Sequence, residues 1–269
     1  MLVDHHCHLD FAQFTKDRDA VVQRAHDAGV GIMVSISTKM AYLDNLTELV
    51  SGYDHVYCSA GTHPHYANRE LHLTVEDYVK ATAHPRVVAI GEAGLDYFYD
   101  HAPRDSQETG FRRQIEVARQ TGLPLIIHAR DADEDTASIL EQEMAQGPFT
   151  AVLHCYTGGP DLASRALDLG LYVSFTGVVT FNKMNDLRAI MRSIPDNRIL
   201  VETDAPFLPP VPHRGKRNEP SFVRHTAELM AAERGVSLEE FAAQTTANFF
   251  NLYTKVPRTL YTSAQHAAE

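Results

Sequence analysis

The sequence predicts an α/β protein, a single (β/α)8 TIM barrel over residues 1–269 with a short C-terminal helical extension. Short apolar or β-branched stretches alternate with stretches of helical period, which is the order expected of eight βα units. The 269 residues, 44% of them hydrophobic, match the length of one such barrel. An open doubly wound sheet has the same element order, but polar residues at the strand ends favour closure.

The candidate strands are bounded by turn residues and are rich in Val, Ile and Leu. They cover residues 2–8, 31–37, 56–61, 87–92, 124–129, 150–155, 171–175 and 198–203. The candidate helices between them cover residues 16–28, 43–51, 75–83, 105–121, 133–144, 160–169 and 185–193. Four of these helices should end at left-handed glycine caps, at Gly29, Gly122, Gly147 and Gly170. The chain from residue 219 onward predicts an eighth helix and a short helical tail.

Composition restricts the function classes. The formal net charge of -11 argues against broad electrostatic binding to nucleic acid or to anionic membranes, unless bound cations or a local basic site reverse the sign. Only three cysteines are present, and the amino terminus lacks a signal-peptide pattern. No apolar run is long enough for a membrane span. We therefore expect a cytoplasmic protein with no membrane partner.

The stretch LVDHHCHLD near the amino terminus concentrates imidazoles and carboxylates in the first candidate strand. Side chains alternate along a strand, so Asp4, His6 and His8 share one face and His5 and Cys7 the other. Ligands two positions apart point the same way on a strand but not on a helix. We expect His6 and His8 to bind metal, Asp4 to orient an imidazole and Cys7 to be buried. By itself, the pair of histidines is equally compatible with a polar rim.

Four more potential ligands each follow an apolar run, at the strand end where barrel enzymes build their active sites. They are Glu92, His128, His154 and Asp204. Unpaired carboxylates and imidazoles buried there are costly, and two divalent cations would compensate all six side chains. Mixed nitrogen and carboxylate ligands suit zinc, manganese or other borderline first-row metals better than calcium, which prefers all-oxygen shells. We expect two divalent metal ions, of zinc, manganese, magnesium or a similar metal.

Neighbouring strands of a closed barrel suggest how the six side chains divide between two ions. Because the first and eighth strands are adjacent, His6, His8 and Asp204 should surround one ion. The other ion should be held by His128 and His154. Glu92 should bridge the pair, as carboxylates do in two-metal sites.

Eight stretches together resemble the TatD family of metal-dependent deoxyribonucleases, within the amidohydrolase-like TIM barrels. They are DHHCHLD, GTHPH, IGEAGLDYF, IIHARDA, HCYTG, VSFTGVVTF, VETDAPFLPP and RGKRNEP. The likeness runs from residue 4 to about residue 253. It implies a two-metal hydrolase of DNA phosphodiesters, with exonuclease action on single-stranded DNA, and its ligand positions fall on the same six residues.

The expected chemistry is in-line attack of a metal-activated water on phosphorus. Asp204 is the candidate proton acceptor, and Glu92 is the second catalytic residue. Candidate substrate contacts after the third, fifth and eighth strands are His63, His65, Arg130, Arg214, Lys216 and Arg217. Aromatic residues 97–99 could stack on bases. Each of these groups is also compatible with rim packing or a solvated surface.

Two other function classes stay open at this stage. Related barrels hydrolyse amides, esters or lactones, often with a modified lysine as the bridge, whereas here Glu92 holds that position and no lysine ends a strand. An aminoacyl-tRNA deacylase belongs to this class. A metal-binding scaffold without activity is the third class, and the intact ligand set argues against it.

Overall fold

The computed structural model describes residues 1–259 of the protein. Its eight strands are β1 (Leu2–Cys7), β2 (Val30–Ser35), β3 (Val56–Ala60), β4 (Val87–Asp96), β5 (Leu125–Arg130), β6 (Ala151–Leu153), β7 (Tyr172–Phe175) and β8 (Ile199–Val201). They form one sheet in the order of the chain, from β1 to β8. The pairs β1–β2, β3–β4, β4–β5, β5–β6 and β6–β7 are parallel.

The helices alternate with the strands. They are α1 (Arg18–Asp27), α2 (Leu43–Ser51), α3 (Val75–Ala81), α4 (Arg104–Thr121), α5 (Asp133–Gln146), α6 (Pro160–Asp168), α7 (Asn185–Ser193), α8 (Val223–Arg234) and α9 (Leu238–Leu252). The predicted (β/α)8 TIM barrel class is confirmed, and α9 is the predicted helical extension. No helix within residues 1–259 has both the length and the apolar character needed to cross a bilayer.

Three of the four predicted glycine caps have the expected backbone. The φ angles of Gly29, Gly122 and Gly170 are 87°, 69° and 78°. Gly147 was expected to be left-handed but is extended, with φ 165°. Its N–H still donates to the carbonyl of Glu143, so α5 ends without a left-handed residue.

The main difference from the predicted strands is the length of β4. We expected it to end at Glu92, but it continues to Asp96, which pairs with Arg130 of β5. Gly94 within this extension has φ 140°, and a Cβ there would lie 2.0 Å from the carbonyl oxygen of His128. Glycine therefore lets β4 and β5 approach closely in a stretch whose composition favours a turn.

The described chain divides into two compact units. The first contains residues 1–35, residues 54–56 and the chain from residue 174 onward; the second contains residues 36–53 and 57–173. The single domain expected over residues 1–269 stays a prediction, and residues 260–269 lie outside the described chain.

In the first unit, helix α9 packs against β1 and β8. The buried imidazole of His5 connects these elements, because its Nε2 lies 2.6 Å from the Ser174 hydroxyl and 3.0 Å from a Glu202 carboxylate oxygen. Its Nδ1 lies 3.1 Å from the hydroxyl of Tyr253, which follows α9. Cys7 is fully buried, as predicted.

In the second unit, two buried glutamines of α4 form hydrogen bonds with the backbone at the carboxyl ends of two strands. The Gln107 side chain accepts from the Asp96 N–H at 2.7 Å and donates to the Asp96 carbonyl at 3.2 Å. Gln114 accepts from the Thr62 N–H at 3.0 Å and donates to the Thr62 carbonyl at 2.9 Å. Both amide ends are used, so these residues fix the backbone at the carboxyl ends of β3 and β4.

An ion pair between the buried Glu219 and the partly exposed Arg24 stabilises the first unit. The carboxylate of Glu219 accepts from Arg24 Nε at 2.9 Å and from Arg24 Nη2 at 2.6 Å. Ser221 Oγ donates to the same carboxylate at 2.5 Å. Burial alone would raise the pKa of Glu219, but these hydrogen bonds lower it below its ordinary value. The depressed pKa means that the folded state is favoured by ionisation of this group.

We expect Glu219→Gln to reduce the free energy of unfolding by about 1–2 kcal/mol at neutral pH, because charge-assisted hydrogen bonds are lost. The contribution is present above the unfolded-state pKa of Glu219 and disappears as pH falls through the lower folded-state pKa. Urea unfolding followed by circular dichroism at several pH values measures both effects. Glu228→Gln, which removes an exposed partner of Arg224, is the control and should cost under about 0.5 kcal/mol. Equal losses in the two variants would contradict this assignment.

Candidate metal centre

The first unit brings three predicted ligands together. His6 lies in β1, His8 directly follows it, and Asp204 follows β8. The Oδ1 atom of Asp204 lies 3.6 Å from His6 Nε2 and 3.3 Å from His8 Nε2. The Asp204 N–H donates to the His6 carbonyl at 2.8 Å, so backbone pairing sets this approach. Two imidazoles and one carboxylate thus converge within one compact unit.

Asp4 supports this group through the backbone. Its carboxylate accepts from the Thr203 N–H at 2.9 Å and from the Thr203 hydroxyl at 2.6 Å. We expected Asp4 to orient an imidazole, but these bonds instead fix the segment that carries Asp204. Burial raises the pKa of Asp4 to about 8.

The second unit contains a cluster centred on Glu92. One oxygen of its carboxylate, Oε1, lies 2.7 Å from His154 Nε2, 2.8 Å from His128 Nδ1 and 3.4 Å from His63 Nε2. Glu92 is only 3% exposed. One ligand atom from each of His63, Glu92 and His128 lies within 4.8 Å of the other two. Imidazole nitrogens and a carboxylate at this spacing fit a first-row divalent cation.

The pKa values of Glu92 and His63 are shifted in the direction that metal binding requires, whereas that of His128 is shifted in the opposite direction. Burial would raise the pKa of Glu92, but the neighbouring charges of His154 and His63 and the hydrogen bond with His128 hold it well below its usual range. Burial lowers the pKa of His63 to about 4, which favours the neutral imidazole that metals require. The pKa of His128 is raised despite burial, because Asp96 and Glu92 accept hydrogen bonds from it.

Asp96 is a site residue that the sequence analysis missed. Its Oδ2 atom accepts from His65 Nε2 at 2.8 Å and from His128 Nε2 at 3.0 Å. His128 therefore faces Glu92 with one ring nitrogen and Asp96 with the other, an arrangement that orients metal-binding histidines. Glu92 and Asp96 are four positions apart in one strand and share a face. This signal was lost because β4 was expected to end at Glu92.

The predicted substrate contacts of the second unit lie beside this cluster. His63 begins the 3-10 helix Pro64–Arg69 and contacts Glu92 itself, which is closer to the candidate metal ligands than we expected. Arg130 ends β5, and its guanidinium lies 4.9 Å from the Phe98 ring centre.

The aromatic stretch after β4 divides into one anchored ring and two exposed rings. The Tyr97 hydroxyl donates to Asp135 at 2.7 Å. Phe98 and Tyr99 are 53% and 58% exposed. Arg130 lies over the Phe98 ring, and His101 is stacked with Tyr99. The aromatic residues suited to stacking are therefore the second and third of this stretch.

The other predicted substrate contacts belong to the first unit. Arg217 binds both carboxylate oxygens of Asp17 at 2.7 Å. The Arg214 guanidinium lies 3.6 Å from the Phe181 ring centre. Lys216 donates its backbone N–H to the His213 carbonyl at 3.1 Å. Their role as substrate contacts stays a prediction.

The family described as TatD related DNase matches residues 3–254. The chain belongs to this TatD-related family. It is 42% identical over 255 residues to the uncharacterized metal-dependent hydrolase YcfH of Escherichia coli K12, covering 94% of this chain and 95% of YcfH. It is 36% identical over 250 residues to the 3'-5' ssDNA/RNA exonuclease TatD of Shigella flexneri, covering 91% and 96% of the two chains. The crystal structure of YJJV, a TatD homologue from E. coli K12, superposes with a TM-score of 0.88 at 28% identity, over 95% of this chain and 98% of YJJV.

These matches confirm three predictions made from the sequence. The chain belongs to the predicted family, it is an enzyme, and it is a metal-dependent hydrolase. The Glu92 cluster is consistent with metal dependence, because its donor atoms have the chemistry and spacing of a metal site.

We expect Asp96→Asn to weaken zinc binding roughly ten- to a hundred-fold, because the substitution alters the carboxylate that orients His128. The size of the side chain is kept, so the melting temperature should change little. Competition with a chromogenic chelator measures the affinity. Asp168→Asn, an exposed substitution in α6, is the matched control and should bind zinc as the natural protein does. Unchanged zinc affinity in Asp96→Asn would exclude this role.

Proposed function

We propose that this protein hydrolyses phosphodiester bonds of DNA, acting as an exonuclease on single strands. The observation that carries the proposal is the buried Glu92 carboxylate surrounded by three imidazoles, in a chain of the TatD-related family. The relative from Shigella flexneri bears the name of an exonuclease for single-stranded DNA and RNA, which supports the substrate class and end-directed cleavage.

We propose two divalent cations, of zinc, manganese, magnesium or a similar metal, as the cofactors. Their proposed ligands are His6, His8, Glu92, His128, His154 and Asp204. The contacts within each unit support this assignment, because Asp204 approaches two imidazoles in the first and Glu92 approaches three in the second. When bound, such cations would supply Lewis acidity that favours ionisation of water and neutralises phosphate oxygens.

Asp204 and Glu92 have different proposed roles in catalysis. The Asp204 side chain is 15% exposed, so it can accept a proton from the attacking water and release it to solvent. Glu92 is almost completely buried and is held by imidazoles, so its position stays fixed while the phosphodiester is hydrolysed. No covalent bond to the enzyme is required in this scheme.

The phosphate and the bases of the strand need contacts of their own. The proposed phosphate contacts are His63, His65, Arg130, Arg214, Lys216 and Arg217. The low pKa of His63 leaves a neutral ring, whose Nδ1 accepts from the His65 N–H at 3.1 Å and whose Nε2 lies 3.4 Å from Glu92, so this ring stands where the Glu92 cluster would meet a phosphate. The exposed rings of Phe98 and Tyr99 are the proposed stacking surfaces for bases.

Removal of metal with a chelator should abolish cleavage of an end-labelled single-stranded oligonucleotide, and added magnesium, manganese or zinc should restore it. Gel electrophoresis of the products follows both steps and shows whether digestion proceeds from one end. An inert protein with each of these metals would remove the nuclease proposal.

A comparison of two small substrates under one metal condition separates phosphodiester from ester hydrolysis. Bis(p-nitrophenyl) phosphate and p-nitrophenyl acetate release the same chromophore. Faster turnover of the phosphate is expected. Turnover of the acetate alone would favour the carboxylic ester class, to which an aminoacyl-tRNA deacylase belongs.

We expect Glu92→Gln and Asp204→Asn to lower kcat on the oligonucleotide by roughly a hundred-fold or more, since each removes a charged group at the reacting centre. Both substitutions keep the side-chain size, so circular dichroism should show an intact fold. Asp161→Asn, at an exposed position in α6, provides the control. Normal turnover in both site variants would contradict these roles and place the catalytic residues elsewhere.

A further inference from the structure

A cavity in the second unit lies between the segments that follow β2 and β3. Its volume is about 410 Å³. Its cationic, aromatic and imidazole side chains are Lys39, Tyr42, Tyr66, Arg69 and His72. We propose that this cavity binds a nucleotide of the single-stranded substrate next to the one that is cleaved, an inference that rests on the proposed function.

The cavity combines cations with aromatic faces. Lys39 Nζ lies 3.9 Å from the ring centre of Tyr66 and 5.0 Å from that of Tyr42. The Arg69 guanidinium lies 5.6 Å from the Tyr66 ring centre. Tyr42 is 57% exposed, so a ring face is available to a base. Proteins that hold single strands use this combination, with stacking on aromatic rings and cations along the backbone.

The charges of the cavity favour an anionic ligand. Within residues 1–259, neither Lys39 nor Arg69 forms an ion pair with a carboxylate. Arg217, by contrast, is committed to Asp17. In a chain of net charge -11, two such cations on one cavity make a local site for phosphate groups.

The one carboxylate that lines the cavity is already occupied. Glu70 is 6% exposed and accepts from the backbone N–H groups of Met40 and Ala41, both at 3.0 Å. It also accepts from the hydroxyl of Thr62. Its hydrogen bonds fix the segment that leads to Tyr42, so the cavity is formed before any ligand binds.

Short connections join the cavity to the Glu92 cluster. The His63 N–H donates to the carbonyl of Thr38 at 3.0 Å, directly before Lys39. The ring centres of His63 and Tyr66 are 6.4 Å apart, and His63 Nε2 lies 3.4 Å from Glu92. A strand with one phosphate at the Glu92 cluster can therefore place a neighbouring nucleotide in the cavity.

Fluorescence anisotropy with a labelled single-stranded phosphorothioate oligonucleotide tests this site, because the probe resists hydrolysis. Tyr42→Ala should weaken binding roughly ten-fold, and Tyr42→Phe should keep most of the affinity, since the stacking face remains. Lys39→Ala should make the slope of log affinity against log salt shallower by about 0.7. Lys80→Ala removes an exposed lysine of α3 and serves as the control, with wild-type binding expected.

The outcomes separate this proposal from the proposed function. Wild-type protein that binds the oligonucleotide but cleaves no nucleic acid would refute the nuclease activity and leave the site intact. Wild-type binding by both Tyr42→Ala and Lys39→Ala, or no binding by the natural protein, would overturn the site. An abasic strand that binds as tightly as the normal one, with Tyr42→Ala affecting both equally, would also overturn it. That result would show that the cavity binds polyanions in general, including acidic peptides.

Discussion

The burial of the Glu92 carboxylate is the constraint on which the second unit depends. An ionised carboxyl group removed from water is strongly destabilising unless charges or hydrogen-bond donors surround it. Here imidazole nitrogens from His63, His128 and His154 approach a single oxygen. The strands and the loop that carry these histidines must therefore meet at Glu92. The same convergence creates a donor set for a divalent cation.

Close backbone approach and buried hydrogen bonds fix where these groups lie. Close approach of β4 and β5 at Gly94 brings Asp96 beside His128. In the first unit, the carboxylate of Asp4 binds Thr203 and thereby fixes the neighbouring Asp204. The first contact involves the backbone of a proposed ligand, His128, and the second involves the residue directly before another, Asp204. The proposed chemistry thus depends on small residues and buried hydrogen bonds that bind no substrate.

Much of this architecture could be predicted from the sequence, because short apolar strands and periodic helices have strong local signals. Helices α2 and α7 have the predicted bounds. Strand alternation also predicts that His6 and His8 face the same way, and both imidazoles approach Asp204. The extension of β4 could not be predicted, since the pairing of Asp96 with Arg130 is tertiary and its glycine suggests a turn. The contact of Asp4 with Thr203 is also tertiary and could not be predicted, because the two residues are 199 positions apart in sequence.

The two glutamines of α4 restrict how this helix can vary. Gln107 and Gln114 are seven positions apart, about two helical turns, so both amides project from the same side. Insertion of one residue between them would rotate one amide by about 100° relative to the other and withdraw it from its strand. Substitutions on the outer surface of α4 therefore leave both contacts intact, whereas a change in the spacing of the two amides breaks one of them.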